Sequence, residues 1–290
     1  MANDYRQLKL VADEEAEYDS QDIKYKAKRP VKIYTKESLI EELRKIKSLG
    51  WIPGARHGNA GSVGNTLEDL LGIQENNLPI PNATEWELKC RRAKSNSLVS
   101  LFHLDPSPRG MDLITKMLLP KYGWPHKEAG SKYDLGEMSF RQTLNGQTRT
   151  DRGFKVVVNR VTKRVEISFD ATTVGIRHAK WLKLVKKQAG LGELNPQPYW
   201  GFDDLFHKAG TKLHNCFFVQ ADVKKEADKE FFLYSRILML QEFSLEGFLT
   251  AIESGFVYID FDARSGHNHG TKFRLREATL PTLYSKATEI

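Results

Sequence analysis

Apolar positions recur with two distinct periods along this chain, and the periods divide it into helices and strands. Leu39, Leu43, Ile46 and Leu49 fall on one helical face, and the spacing predicts a helix from Ser38 to Leu49. Ser38 and Glu41 have the spacing of a capping box, and Gly50 closes the C-terminus. A shorter helix carrying Leu67, Glu68, Leu70 and Leu71 is expected to start at Asn65 or Thr66. Strands are predicted at 86–89, where residues two apart share a face, and at the apolar run Leu98–Phe102, read as the neighbouring strand. Phe154–Val158 and Val165–Phe169 form a hairpin pattern about a polar turn. Cys216–Gln220 and Phe231–Tyr234 form a second pair, with the charged span Lys224–Glu230 as a solvated loop between them. Leu245, Phe248, Leu249 and Ile252 mark a helix from Ser244 to Glu253, stopped by Gly255, and a strand Phe256–Phe261 follows it. This order of elements predicts an α/β (α+β) protein with a central mixed β-sheet.

Composition narrows the class. Lys plus Arg is 44 against 37 Asp plus Glu, a formal charge of +7 that suits a polyanionic partner. Cys90 and Cys216 are the two thiols, too few for a disulfide framework or a zinc site, so a reducing cytoplasm is the expected compartment. Neither a secretory leader nor a membrane span is expected. Residues 1–34, acidic from Asp13 to Asp22 and basic from Lys24 to Lys32, read as a mobile arm. The glycine-rich stretch from Gly54 to Asn65 reads either as a flexible loop or as a place of close backbone approach.

Candidate chemistry centres on Pro81-Asn82-Ala83-Thr84-Glu85-Trp86-Glu87-Leu88-Lys89. This is the metal-dependent nuclease pattern P-D-x4-E-x-K with Asn in place of Asp. Glu87 and Lys89 project together from a strand. There a carboxylate can bind Mg²⁺ beside a phosphate, and an ammonium can hold the attacking water and offset developing charge. Asn82 offers only a neutral carbonyl oxygen where a hard cation prefers carboxylate. Read alone, Glu87 and Lys89 could equally be an exposed charge pair on an edge strand.

Together with this motif, five further blocks resemble the MvaI/BcnI family of Type II restriction endonucleases, relatives of the mismatch-repair nickase MutH. They are Gly64-Asn65-Thr66-Leu67-Glu68-Asp69-Leu70-Leu71, Ser97-Leu98-Val99-Ser100-Leu101-Phe102, Pro108-Arg109-Gly110, Tyr199-Trp200-Gly201-Phe202-Asp203 and His269-Gly270-Thr271-Lys272-Phe273-Arg274. The resemblance implies a PD-(D/E)XK core with two lobes around a DNA cleft. By residue number, 35–150 is expected to be mainly the catalytic lobe and 151–290 mainly the recognition lobe, with the chain free to cross between them. It also implies a monomer that hydrolyses double-stranded DNA at a short CC-N-GG-like site by sequential nicking, with Mg²⁺ as cofactor and a methyltransferase encoded nearby.

Carried over by position, Asn82, Glu87, Lys89 and Glu68 form the catalytic group. Asn82, Glu87 and the Leu88 backbone carbonyl are the metal ligands. His103, Arg109, Asp262, Arg264, His267, His269, Lys272 and Arg274 are the candidate DNA contacts, since Arg pairs with guanine and Asp with the cytosine amino group. The plainer alternatives are a helix-dipole acid at Glu68, a packed turn residue at His103, and lobe packing by Trp200 and Phe202. His267 and His269 lack a third metal ligand at useful spacing. Asn82 points to an inactivated nuclease or, alternatively, to Glu85 serving as ligand from the face of Glu87. A MutH-like nickase and a non-catalytic DNA-binding protein are the other functional readings.

Overall fold

The structure, a computed structural model, describes residues 34–55, 61–73 and 85–290. Asn82, residues 1–33 of the N-terminal arm and residues 56–60 of the glycine-rich stretch lie outside the described residues. Tyr34, read as the end of that arm, is instead buried in a core, its hydroxyl donating to the Leu71 carbonyl.

The described residues form one compact unit built on three sheets. The first has the order β1 (Ile52–Pro53), β10 (Lys229–Phe243), β9 (Asn215–Glu226), β2 (Glu87–Arg92), and β14 (Tyr284–Glu289) also pairs with β10. β2 runs parallel to β9, with Glu87 opposite Cys216 and Lys89 opposite Phe218, while β9 and β10 are antiparallel. The second sheet has the order β3 (Val99–His103), β13 (Lys272–Leu275), β11 (Val257–Arg264), β5 (Met138–Leu144), β4 (Trp124–Pro125), with β12 (His267–Asn268) on β11. The third is β6 (Phe154–Asn159), β7 (Arg164–Phe169), β8 (Tyr199–Gly201).

Strand alternation gives the first sheet two buried faces. Phe217, Val219 and Met239 join Trp86 and Leu88 in one core, under α1 (Lys36–Ser48) and α2 (Ser62–Leu71). Cys216, Phe218, Leu238 and Leu240 join the other. That second core holds the remaining sheets, α3 (Leu119–Tyr122), α4 (Ala179–Ala189), α5 (Phe202–Leu213) and α6 (Leu245–Glu253). None of the described helices is long and apolar enough to cross a membrane.

Both hairpins and the helix capped by Ser244 follow the predicted pattern. Four local expectations change. The first helix begins a turn earlier, because Thr35 has the extended backbone of a cap and exchanges hydrogen bonds with Ser38; Ser38 with Glu41 is not the box. α2 begins at Ser62, its cap Gly61 making no side-chain bond, so neither Asn65 nor Thr66 starts it. Lys224–Glu230 is not a loop. The ladder runs through to Glu226 and Lys229, and the chain reverses at Ala227 and Asp228, both at positive φ. Val99–His103 is a strand but not the neighbour of β2; it pairs with β13 in the second sheet.

Candidate active site

β2 is flanked by β9 in its ladder and places alternate side chains in different surroundings. Trp86 and Leu88 enter the core under α2, with the Trp86 ring 4.5 Å from that of Phe217. Glu87 and Lys89 point the other way, toward α5. Glu87 is 4% exposed. Its Oε1 accepts a hydrogen bond from Lys89 Nζ at 3.1 Å and lies 3.8 Å from Lys212 Nζ on the last turn of α5. The two residues are therefore a buried ion pair rather than an exposed edge-strand pair. Lys212 was not foreseen. It lies far along the chain from Glu87, and a lysine in the last turn of a helix reads as an ordinary dipole partner.

Glu87 Oε2 is buried and has no hydrogen-bond partner among the described residues. Leaving a carboxylate oxygen in that state is costly unless something else completes it, and a hard divalent cation fits an anionic oxygen so placed. Among the described residues there is no group of three or more His, Cys, Asp or Glu side chains able to hold a metal. The resemblance would draw further donors from the Leu88 backbone carbonyl and from Asn82. Glu85 precedes the strand, exposed in a turn, so the alternation that aims Glu87 does not extend to it. Glu68 is partly exposed on α2, the helix on the opposite face of β2, and its charge acts on the Cys90 thiol. Burial raises that thiol first, with Glu68 adding to the effect. Burial likewise pushes Cys216 up to about 12 and holds the Tyr284 hydroxyl well above its usual range, with Cys216 and Glu87 contributing.

The strand is anchored at its far end. Arg92 makes a two-pronged ion pair with Glu230 at 2.8 and 2.7 Å and donates to Ser62 Oγ at 2.9 Å, tying β2 to β10 and α2. Arg91 donates from Nη2 to the carbonyls of Ser95 and Ser97. A cleft of about 290 Å³ opens between β2 and this segment, lined in part by Lys89, Arg91, Ser97 and Ser100.

The candidate DNA contacts gather largely on the solvent face of the second sheet. On β11, Val257, Ile259, Phe261 and Ala263 are buried, so Asp260, Asp262 and Arg264 share the outer face. Register sets Arg141 opposite Asp262, Thr143 and Lys272 opposite Asp260, and His103 opposite Lys272. Arg141 Nε is 2.7 Å from Asp262 Oδ1. Arg264 Nη1 pairs with Glu137 at 3.1 Å, and Arg274 Nη1 pairs with Asp260 at 2.9 Å while its Nη2 donates to the Leu98 carbonyl. His267 and His269 stack edge to face with ring centres 4.1 Å apart, at the tip beyond β11. Arg109 stands apart from this face, paired with Asp204 at 3.0 Å. Arg141 and Thr143 were missed, since only the pairing of β5 with β11 reveals them, and Asp260 was missed although alternation within its own strand places it on the face opposite the buried Ile259 and Phe261. Burial holds the His103 imidazole below its ordinary range, with Lys272, Lys212 and Lys208 adding to the effect and Asp105 opposing it. Trp200 is buried, its Nε1 donating to the Leu104 carbonyl and its ring set edge-on to Phe273, so it packs rather than stacks on a base.

A buried carboxylate joined to the lysine two residues on, in a strand of a mixed sheet covered by helices, is the α+β arrangement expected of a PD-(D/E)XK nuclease core. The MvaI/BcnI restriction endonuclease family model matches residues 40–284, and the chain belongs to that family. Two solved structures share the fold. The complex of restriction endonuclease MvaI with its cognate DNA superposes with a TM-score of 0.68 at 23% identity, covering 88% of this chain and 99% of that one. MvaI in the absence of DNA gives 0.52 at 20% identity, covering 90% and 100%. No curated protein matches.

Proposed function

We propose that this protein is a monomeric Type II restriction endonuclease scaffold that binds duplex DNA at a short CC-N-GG-like site, with Asn82 holding its hydrolytic step far below the rate an Asp would allow. The buried Glu87–Lys89 pair, with Glu87 Oε2 left without a partner among the described residues, is the observation that carries this reading. In it the core under α1 and α2 belongs to the catalytic lobe and the sheet of β11 to the recognition lobe, so the chain contributes to both from both halves. The compartment is the cytoplasm, and a protecting methyltransferase is encoded nearby.

Glu87, Asn82 and the Leu88 carbonyl would hold Mg²⁺, which when bound supplies Lewis-acid polarisation of the phosphate and a more acidic water. The chain's own residues do the remainder. Lys89, fixed by its 3.1 Å bond to Glu87, presents an ammonium that orients water for in-line attack and offsets negative charge growing on the phosphate oxygens. Glu68 is assigned to the site by the family resemblance alone, since α2 lies on the other face of β2 and its charge acts on Cys90. On the reading face, Asp262, Arg264, Lys272, Arg274 and His103 meet base edges and phosphates, with His267 and His269 at its margin, while Arg109, paired with Asp204 away from that face, meets the DNA backbone. The sheet supplies a rigid base for those contacts.

Asn82 favours specific binding without efficient cleavage. An amide keeps the shape of aspartate while removing one formal charge from the metal site. Selection from a random duplex library is expected to enrich one short motif, and no enrichment would sink the proposal. On the enriched site with Mg²⁺, Asn82→Asp is expected to raise cleavage on the order of a thousandfold, equivalent to several kcal/mol of transition-state stabilisation. Asn82→Asp with Lys89→Ala is expected to lose that gain. Equal rates for the unsubstituted chain and the Asp variant would remove position 82 from the site. Products nicked in one strand only would indicate a nickase of the MutH kind.

A further inference from the structure

Two ammonium groups approach one oxygen of Glu87. Lys89 Nζ lies 3.1 Å and Lys212 Nζ 3.8 Å from the same Oε1. Lys89 is the closer and forms the hydrogen bond, so Lys212 is the looser partner. Its side chain is about twice as exposed, 27% against 13%, which puts its charge nearer the mouth of the site. Two like charges around one carboxylate repel each other, and the arrangement improves when a second anion arrives to share them.

Lys212 is also the end of a series. Lys208 lies one helical turn earlier on α5, on the same side of the helix. α5 packs on β3, whose last residue His103 faces Lys272 across the ladder. The charges of Lys208, Lys212 and Lys272 all reach that imidazole. The series thus runs from the buried carboxylate toward the outer face of the second sheet. Lys208 and Lys212 are four residues apart, about 6 Å along the axis of α5, a step that two long, flexible lysine side chains can span to neighbouring phosphates of one strand.

We propose that Lys212 is a phosphate-binding residue of the nuclease site, gripping a non-bridging oxygen of the phosphodiester seated beside Glu87, with Lys208 on the next phosphate of the same strand. This rests on the reading of the protein as a duplex-DNA binder. In the free protein Lys212 shares Glu87 with Lys89; with DNA present, Lys89 retains the carboxylate and Lys212 turns to the phosphate. No covalent change is involved.

The test is a salt titration with the full chain, in chelator so that metal and cleavage play no part, using a short random-sequence duplex and fluorescence anisotropy. Each phosphate contact contributes a slope of about 0.9 to the fall of log K with log salt. Lys212→Met and Lys212→Gln are each expected to lower the slope by about 0.9, and Lys208→Met with Lys212→Met by about 1.8, while Lys212→Arg keeps it. Thermal unfolding identifies any variant that does not fold, and the slope is then read from the other of the Met and Gln pair. An unchanged slope in a folded Lys212 variant would make Lys212 only a partner of Glu87 and overturn the proposal. If the unsubstituted chain does not bind the duplex even at low salt, the reading of a DNA-binding protein fails, whereas salt-dependent binding with an unchanged Lys212 slope overturns this proposal alone, so the two failures are told apart.

Discussion

Replacing Lys89 by methionine separates the structural from the chemical role of the buried pair. Methionine keeps the stem and removes the ammonium. At 3.1 Å from Glu87 Oε1 that charge contributes about 5 kcal/mol of attraction at an effective dielectric constant near 20, and Lys212 at 3.8 Å about 4 kcal/mol. The substitution therefore withdraws roughly half of the field on a carboxylate that is only 4% exposed. It also relieves the desolvation of Lys89 itself. Breaking a buried pair with nothing in reserve costs about 3–5 kcal/mol, so with Lys212 still present the expected loss is about 2 kcal/mol. Urea unfolding at neutral pH in chelator measures it, as a shift of midpoint at constant slope. Glu87→Gln and the double variant complete a cycle, in which the double variant is expected to lose about 1–2 kcal/mol less than the sum of the singles. A Lys89→Met protein within about 0.5 kcal/mol of the parent would show that the ion pair does not sustain the buried carboxylate, and the mechanism built on it would lose its anchor.

The reading face and one surface carboxylate give further tests. Arg264→Ala and Arg274→Ala are expected to weaken binding to the selected site by about 1–3 kcal/mol more than binding to random duplex, measured by competition; equal losses would reassign both arginines to the phosphate backbone or, for Arg274, to support of β11 through Asp260. Asp151 is held down to about 2, first by its hydrogen bond with His178 at 2.7 Å and then by Arg177. Because the folded value is depressed, its contribution to stability is present above the ordinary carboxylate value near 3.8 and is lost as pH falls toward 2. Asp151→Asn is therefore expected to flatten the acid limb of a stability–pH curve by less than about 1 kcal/mol, the group being partly solvated. A limb unchanged by the substitution would show that the contact is not maintained in solution.

Local pattern carried the sequence reading where the physics is local. The helix that Ser244 caps and the two hairpins follow from periods of 3.6 and 2, which act over neighbouring residues. The reading erred where a competing local signal stood nearby. Thr35 offered a better cap than Ser38, and the charged residues of 224–230 extended a ladder because a strand edge tolerates charge on its solvent side.

By itself, the sequence determined that Glu87 and Lys89 share a side of one strand, because a two-residue repeat fixes side-chain direction without reference to anything distant. The strand read as Phe256–Phe261 in fact runs on to Arg264, so it was the structure that set Asp262 and Arg264 side by side on β11. Only the tertiary structure decided that Glu87 is buried, that Lys212 from α5 comes within 3.8 Å of it, and that β3 leaves the sheet of β2 to pair with β13. It also decided that Arg141 and Thr143 join the recognition candidates through the register of β5 on β11. These outcomes depend on which surfaces meet when the chain closes long loops and buries both faces of the first sheet. The free energy of that choice is spread over many distant apolar contacts rather than written in any one segment.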